Sequence, residues 1–306
     1  MIKKDIYNND LKEKLRASAN DKLYSFLLAD GMLRGAVVNT TRMVREMQAN
    51  HESGPLETMI LGHAYTAAAL MTANLKGKDR LSLSINCSGP VKGLDVEANV
   101  FGEVRGFLKN PEIEVENPAS LKSVSQLFGA GMLTVTKYLE DAKSPYSGQV
   151  ALEYGSIAED LALYFLESEQ KPTGFNLSVD FDENEEVLGA GGIFLQAMPG
   201  ADEELLKNAE EIMTALSNLG ARFAQEESCD RVVLKEFESF DPVIIGDRRV
   251  AFFCRCSAEK MESYVAKLPE ADRKDILENS EFPVEIRCHH CNTVYSFSKE
   301  DIERMV

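Results

Sequence analysis

The sequence predicts an α+β fold in which a core domain of antiparallel sheets with helices spans residues 1–199. An amphipathic helical linker over residues 200–249 and a small cysteine-rich domain over residues 250–306 follow it. Three observations predict this organisation: apolar residues at helical spacing, short stretches in which apolar and polar residues alternate, and four cysteines near the C-terminus. Because helical and alternating stretches do not succeed each other regularly, the pattern is α+β rather than a series of βαβ units.

The composition is that of an acidic globular chain. Its 306 residues include 50 aspartates and glutamates against 33 lysines and arginines, a formal net charge of −17. Such a surface repels phosphate backbones and argues against nonspecific nucleic-acid binding. No run approaches the roughly 18 apolar residues of a membrane span, and Met1–Asn20 lacks the apolar core of a signal peptide. We therefore expect a cytoplasmic protein with neither a nucleic-acid nor a membrane partner.

The region from Leu23 to about Leu75 shows helical spacing. Its apolar residues recur at intervals of three and four. The residues that carry the spacing are Leu27, Leu28, Val37, Val38, Met43, Val44, Met47, Met59, Ala67, Leu70 and Met71. This pattern predicts two or three helices.

After Gly77 the apolar period changes to two, which is typical of half-buried strands. The strands predicted from it are Leu81–Cys87, Leu94–Val100, Val104–Leu108, Met132–Leu139, Gln149–Tyr154 and Phe175–Phe181. The turn residue Gly102 makes the second and third of them an antiparallel pair. A helix with one apolar face is predicted after Ser156, which forms a capping-box pattern with Glu159.

The composition shifts at about Pro199. The segment Asp202–Glu238 carries ten acidic and four basic residues, yet its apolar residues keep a helical period. The stripe Leu205, Ala209, Ile212, Leu216 and Leu219 has the spacing i, i+4, i+7, i+11 and i+14 of one amphipathic helix. Such a helix needs an apolar surface to cover, and packing on the core of its own chain is the simplest use of it.

The last part of the chain is predicted to form a third unit. Short strands are expected around Val250–Phe253 and Val284–Arg287, a helix over Ser257–Leu268, and a terminal helix opened by Ser298. A unit this small has too little hydrophobic core to be stable without an additional cross-link.

Four of the six cysteines lie in this unit. Cys254 and Cys256 form a Cys-x-Cys pair, and 31 residues separate it from the Cys-x-x-Cys pair of Cys288 and Cys291. Two close pairs that folding brings together are what a tetrahedral zinc site requires, so we expect a Cys₄ zinc domain with one Zn²⁺ per chain. Four thiolates close the coordination shell, which argues against a catalytic zinc.

The four histidines add no second site. His289 and His290 lie inside the second cysteine pair, but four thiolates already fill the shell, so both are expected to face solvent. His51 and His63 lie far from the cysteines in the helical region, and nothing near either forms a nucleophile and base arrangement.

The two pairs also have the spacing of a redox switch. Zinc holds cysteines as thiolates, the form that oxidants attack, and each has a partner at i+2 or i+3 that resolves a sulfenic acid. Oxidation is therefore expected to form the disulfides Cys254–Cys256 and Cys288–Cys291 and to release zinc. The chemistry of these residues leaves a redox switch and an inert structural zinc equally open.

The other two cysteines are expected to be unreactive. Cys87 continues the apolar face of a predicted strand and is interpreted as a buried small hydrophobe. Cys229 lies in an acidic stretch, which should raise the pKa of its thiol and disfavour the thiolate.

The cysteine spacing, at the C-terminus of an acidic chain of this length, resembles the redox-regulated holdase chaperones of the 33-kilodalton heat shock protein family. The match continues upstream, in the family's order, over nearly the whole chain. The matching blocks are GPVKGLDVEANVFGEVRGFL (89–108), GAGMLTVTK (129–137), YSGQVALEYGSIAEDLALYFLESEQKPT (146–173) and GGIFLQAMPGAD (191–202).

The resemblance implies a non-enzymatic, ATP-independent holdase that binds unfolding proteins after its zinc-thiolate centre is oxidised and protects them from aggregation. The sequence contains no Walker phosphate-binding loop, which agrees with this. A metastable linker is also implied, whose candidate client-binding residues are Leu205, Ile212, Leu216 and Leu219. A homodimer of the oxidised form is a further expectation.

Two other functions are open from the sequence. A structural zinc ribbon that binds RNA or the ribosome would need a basic stripe, which the net charge of −17 opposes. A thiol oxidoreductase would use Cys288 and Cys291, but these residues lack the βαβ context of a thioredoxin-like site.

Overall fold

The computed structural model describes residues 1–7, 21–115, 123–216 and 218–305. Residues 8–20, most of the segment in which no signal peptide is expected, lie outside the described residues. The strands are β1 (Lys22–Leu28), β2 (Leu33–Asn39), β3 (Arg80–Cys87), β4 (Gly93–Asn99), β5 (Glu103–Leu108), β6 (Gly131–Tyr138), β7 (Tyr146–Ala151), β8 (Thr173–Phe181), β9 (Val187–Ala197), β10 (Val243–Arg249), β11 (Ala251–Phe252), β12 (Val284–Arg287) and β13 (Val294–Phe297). The helices are α1 (Thr41–His51), α2 (Pro55–Met71), α3 (Ile157–Glu169), α4 (Glu203–Ala215), α5 (Leu219–Ala224), α6 (Cys229–Glu236), α7 (Ala258–Val265), α8 (Glu270–Asn279) and α9 (Lys299–Glu303).

Two sheets form the core and confirm the α+β prediction. The first has the order β10-β1-β2-β9-β8, with every neighbouring pair antiparallel. The second has the order β11-β5-β4-β3-β6-β7 and is antiparallel except where β11 runs parallel to β5. The last sheet is the hairpin β12-β13.

The central helix α2 packs against strands of both larger sheets. It begins with Pro55 in its first turn, where the missing N–H costs no hydrogen bond. Burial continues around most of its circumference, and the Tyr65 hydroxyl donates to the Gly106 carbonyl of β5 at 3.0 Å. A helix that is apolar on nearly all sides belongs between two layers rather than on a surface.

The prediction of helices from Leu23 onward is wrong as far as Asn39, because β1 and β2 lie there, joined by a short 3₁₀ turn at Ala29–Gly31. It is confirmed for α1 and α2. The first sheet is covered on both faces, so neighbouring residues of its strands are both apolar. These adjacent apolar residues were mistaken for the spacing of a helix. Val37 packs into one core cluster and Val38 into the other. β9 and β10 were not predicted, since β9 is also buried on both faces and β10 is mostly exposed.

Three helices of the predicted linker, α4, α5 and α6, cover the outer face of the first sheet. Together with that face they enclose a second hydrophobic cluster, here called the linker core. Its buried residues are Phe26, Leu28, Leu33, Val37, Ile193, Leu195, Ala209, Leu216, Leu219, Phe223, Cys229, Val232, Val233, Phe237 and Phe240.

The prediction of one continuous linker helix is wrong, because α4 ends at Ala215 and a separate helix, α5, begins at Leu219. Asn218 caps the second helix: its side-chain oxygen accepts from the N–H groups of Gly220 and Ala221 at 3.0 and 3.4 Å. The linker is also not helical to its end, since its last residues form β10 at the edge of the first sheet.

The cysteine-rich unit contains α7, α8, α9 and the β12-β13 hairpin. Ser257 caps α7, and Ser298 opens α9 with a capping box to Asp301, as predicted for both helix starts. The unit packs on the main core cluster, which includes Phe252, Met261 and Ile302 as buried members. Among the described residues no helix is both long enough and apolar enough to span a bilayer.

Candidate metal centre

The four sulfur atoms of the predicted zinc site lie together. The Sγ atoms of Cys254, Cys256, Cys288 and Cys291 are all within 4.8 Å of one another, and all four side chains are buried. The Cys254 and Cys288 sulfurs are 3.8 Å apart, and the Cys256 and Cys291 sulfurs 3.4 Å. This arrangement can hold one metal ion.

Local backbone structure presents each pair. The first pair follows β11 and precedes α7. The second occupies the turn of the β12-β13 hairpin, where the Cys288 N–H donates to the Thr293 carbonyl at 2.9 Å and the Asn292 N–H donates to the Cys288 carbonyl at 2.8 Å. Asn292 has a φ of 54°, a conformation that asparagine tolerates better than most residues. The turn therefore points both sulfurs of the second pair toward the first pair.

The electrostatics of the cluster fit a cation. Hydrogen bonds from Cys288 and Cys291 lower the pKa of Cys254 strongly, with Arg105 contributing. The same interaction with Cys254 raises the pKa of Cys288 to about 11 and raises that of Cys291 further. Without a cation one thiolate therefore opposes ionisation of its neighbours, whereas a central divalent ion allows all four to ionise.

Two groups outside the cluster hydrogen-bond its sulfurs. An Arg105 Nη1 of β5 donates to the Cys254 sulfur at 3.5 Å, and the Tyr295 hydroxyl of β13 donates to the Cys256 sulfur at 3.2 Å. Such partners orient metal ligands and tune their reactivity. Nothing in the sequence pattern marks Arg105 for this role, because the contact depends on the pairing of β11 with β5.

The unit is attached to the core by polar contacts from several elements. The Asn50 side chain donates to the Cys291 carbonyl at 2.9 Å, and the Gly106 N–H donates to the His290 carbonyl at 3.2 Å. Arg255 forms an ion pair with Glu103 of β5 at 2.8 Å. These contacts join the ligand loops directly to α1 and β5.

The expectation that both hairpin histidines face solvent is wrong for His290. His289 is exposed but its ring lies 3.7 Å from that of Phe107, centroid to centroid, whereas His290 is half-buried and burial lowers its pKa. His51, distant in sequence, is close in space, with its ring 6.2 Å from that of Phe252. Burial lowers the pKa of His51 and of His63 to about 4, so neither carries charge at neutral pH.

The remaining cysteines lie outside the cluster. Cys87 is half-buried rather than fully buried, and Cys229 is buried in the linker core. Burial raises the pKa of both thiols, so the predicted direction for Cys229 is confirmed with burial, not acidic neighbours, as the main cause.

The linker stripe is buried unevenly. Leu216 and Leu219 are buried in the linker core, whereas Leu205 and Ile212 are half-buried at its edge. Ala209, the remaining residue of the stripe, is also buried there, so the docked linker hides Ala209, Leu216 and Leu219 more completely than Leu205 and Ile212.

Similarity to known proteins agrees with this architecture. The chain matches the family model described as Hsp33 protein over residues 21–298. It is 35% identical over 287 residues to the 33 kDa chaperonin of Desulforamulus reducens, which covers 94% of this chain and 97% of that protein. The 33 kDa chaperonin of Agathobacter rectalis is 33% identical over 94% of this chain and 99% of its own. The crystal structure of the 33 kDa chaperonin from Thermotoga maritima, 30% identical, matches with a TM-score of 0.82 over 94% of this chain and 97% of that one.

Proposed function

Because the chain belongs to the Hsp33 family of chaperones, we propose that it is a redox-regulated, ATP-independent holdase. Oxidation of its zinc-thiolate centre would make it bind unfolding proteins and protect them from aggregation. The observation that carries the proposal is the four-cysteine cluster, which lies against β5 and connects through β11 and β10 to the helices that cover the linker core.

The metal in this proposal is one Zn²⁺ held by Cys254, Cys256, Cys288 and Cys291. Zinc with four thiolate ligands supplies folding energy rather than catalysis. Its contribution to a small cysteine-rich unit is on the order of 10–16 kcal/mol, comparable to the whole stability of an ordinary domain. Loss of the ion should therefore unfold much of residues 250–306.

Oxidation removes the ligands as pairs. With hydrogen peroxide as the oxidant, each pair of zinc-bound thiolates gives up two electrons to form a disulfide. One hydrogen peroxide accepts these electrons together with two protons from solvent and becomes two waters. The expected disulfides are Cys254–Cys256 and Cys288–Cys291. A disulfide sulfur binds zinc far more weakly than a thiolate, so the ion is released.

Unfolding of this unit is coupled to the linker by the chain itself. Only Val250 separates β11, at the edge of the second sheet, from β10, at the edge of the first. When β11 detaches, β10 and the short helices before it lose a fixed end. Helices of 13, 6 and 8 residues are marginal in water without packing. Their release exposes the linker core, including Leu216 and Leu219, as an apolar surface with acidic surroundings.

The proposed domains are the core over residues 1–199, the linker over 200–249 and the redox-switch domain over 250–306. Leu205 and Ile212 would contribute at the rim of the client-binding surface. We propose a cytoplasmic location and a non-enzymatic role, with unfolded proteins as partners and a homodimer as the oxidised form.

The test compares one preparation before and after peroxide treatment. Zinc content, client light scattering and insulin reduction are measured on the same samples. The proposal requires about one zinc and little antiaggregation activity before oxidation, and lost zinc with strong activity afterwards. Retained zinc with unchanged light scattering would indicate that the zinc is purely structural. Insulin reduction would indicate an oxidoreductase.

A further inference from the structure

A concave pocket of about 260 Å³ lies between the outer face of the second sheet and the cysteine-rich unit. Its charged lining residues come from three strands of the sheet and from the loop and helix around the first cysteine pair. They are Arg80, Glu97, Glu103, Arg105, Arg255 and Lys260. Four cations and two carboxylates therefore converge on one pocket in a chain whose net charge is −17.

Both carboxylates are already paired with cations of the pocket. Glu97 accepts from Arg105 at 2.6 and 3.0 Å, and Glu103 accepts from Arg255 at 2.8 Å. Each pair is neutral overall, so the net charge of the lining side chains is that of the other two cations.

Those cations, Arg80 and Lys260, have no carboxylate partner within the described ranges. The Arg80 guanidinium carbon lies 3.9 Å from the centre of the Tyr138 ring, and the Lys260 ammonium donates to the Arg255 carbonyl at 2.6 Å. Stacking on a ring holds the guanidinium plane and leaves its N–H edge available to an acceptor. The pocket thus keeps two positive charges, one on the core and one on the cysteine-rich unit.

We propose that this pocket binds an oxyanion of the phosphate class, such as inorganic phosphate, pyrophosphate or the phosphate groups of a nucleotide. The planar fork of Arg80 matches two oxygens of such a group, and the ammonium of Lys260 supplies a point charge. The anion bridges the core and the cysteine-rich unit. Because the complete pocket exists only while the two are docked, bound anion stabilises the docked state.

Calorimetric titration of the reduced, zinc-loaded full chain tests the proposal. Pyrophosphate, inorganic phosphate and ATP are titrated separately at constant ionic strength, with chloride as the reference salt, since screening alone weakens surface charges. Saturable binding of one equivalent of at least one of the three is expected. The order of their affinities distinguishes a free phosphate from a nucleotide as the source. Absence of saturable binding by all three overturns the proposal.

Paired variants separate the site from general charge. Arg80→Gln with Lys260→Gln should weaken binding about tenfold or more, because charge-assisted hydrogen bonds to the anion are lost. Lys171→Gln with Lys274→Gln removes the same charge elsewhere and should bind normally. Equal weakening in both variants overturns the proposal. If the first variant does not fold, Lys260→Gln alone serves, because Lys260 is an exposed residue of α7.

A second measurement follows zinc rather than binding. Saturating pyrophosphate should slow the release of zinc to a thiol-reactive electrophile in the wild-type chain and leave it unchanged in the Arg80→Gln, Lys260→Gln variant. The measurement of zinc release does not depend on chaperone activity. The anion site can therefore be wrong while the proposed function is right, and the proposed function can be wrong while the anion site is right. An identical release rate with and without pyrophosphate in the wild-type chain contradicts the bridging role.

Discussion

One guanidinium joins the core to the four-cysteine cluster: Arg105 donates through Nη1 to the Cys254 sulfur at 3.5 Å and through Nε and Nη2 to Glu97 at 3.0 and 2.6 Å. A Zn²⁺ with four thiolates carries two net negative charges, whereas two disulfides carry none. With Zn²⁺ bound as proposed, the attraction between Arg105 and the centre would therefore be strongest in the reduced, metal-bound state. The proposed oxidation would remove this attraction together with the metal.

Replacing Arg105 by glutamine should accelerate zinc release from the reduced chain. A hydrogen bond to a thiolate lowers its reactivity toward electrophiles and also holds the unit on β5. Losing one hydrogen bond to a charged group costs about 1.5–3 kcal/mol, so we expect roughly a tenfold or larger rate increase. The rate is measured with a zinc-binding dye during peroxide treatment.

Arg255→Gln is the matched control, since Arg255 also forms an ion pair across the interface but is more exposed. An exposed pair contributes about 0–1 kcal/mol, so its loss should change the rate only slightly. Equal rates in the two variants would show that Arg105 acts only as one more surface ion pair.

The ligand assignment predicts that Cys254→Ser with Cys288→Ser abolishes stoichiometric zinc binding. One ligand is lost from each pair, and two remaining thiolates do not make a structural site. Metal analysis after gel filtration measures the zinc content. One equivalent of zinc in this variant would contradict the assignment.

The control for that experiment is Cys87→Ser with Cys229→Ala, the alanine being chosen because Cys229 is buried in the linker core. Both residues lie outside the cluster, so zinc content and activation by peroxide should match the wild type. Loss of oxidative activation with intact folding would give one of them a role in the switch.

The sequence was sufficient for the features that depend on local pattern. The period of two placed β3 to β6 and β8, and capping residues placed the starts of α7 and α9. Cysteine spacing alone predicted that the four residues from Cys254 to Cys291 lie together, as they do in the structure. The prediction was possible because two close cysteine pairs have few structural uses other than metal binding. A strand predicted at Gln149–Tyr154 lies a few residues earlier, as β7.

Features that depend on the partner of a segment could not be predicted. Val37 and Val38 are both buried because the linker covers one face of their sheet and helices cover the other, and the local pattern contains neither fact. The contact of Arg105 with Cys254 and the proximity of His51 to Phe252 arise from the docking of the cysteine-rich unit. The two residues of each contact are far apart in the sequence, so neither contact could be predicted from it.

Weakening the linker core should release chaperone activity without oxidation. Leu216 is 7% exposed and belongs to the linker core, so Leu216→Ala should cost about 2–5 kcal/mol of local packing. Ile212 is only half-buried, and Ile212→Ala should have a smaller effect. Client light scattering and zinc content are measured on the same reduced sample, and activity is expected with zinc retained.

Leu234→Ala is the control for this prediction, because Leu234 lies on α6 but is 48% exposed. It should leave the reduced chain inactive. Hydrogen exchange shows whether each variant opens the linker. An open linker in the Leu216→Ala variant without activity would place the client-binding surface elsewhere.

Release of the linker can also be tested sterically, at a close contact between two glycines. A Cβ added to Gly189 of β9 would lie 2.0 Å from the carbonyl oxygen of Gly220 in α5, and one added to Gly220 would lie 2.7 Å from that of Gly189. The obstructing atoms belong to backbone, so no side-chain rotation relieves the clash. Gly189→Ala should therefore push α5 off the sheet.

The strand itself should tolerate the change, since alanine suits an extended strand at least as well as glycine does. We expect the Gly189→Ala variant to show faster hydrogen exchange in α5 and α6, normal zinc content, and antiaggregation activity while reduced. Gly246→Ala is the control. Apart from Gly246 and its chain neighbours, no atom of the described residues lies within 4 Å of the Cβ it would add, although Gly246 also belongs to the linker. Protected α5 amides in the Gly189→Ala variant would show that the sheet yields instead of the helix, and would remove this contact as a determinant of linker docking.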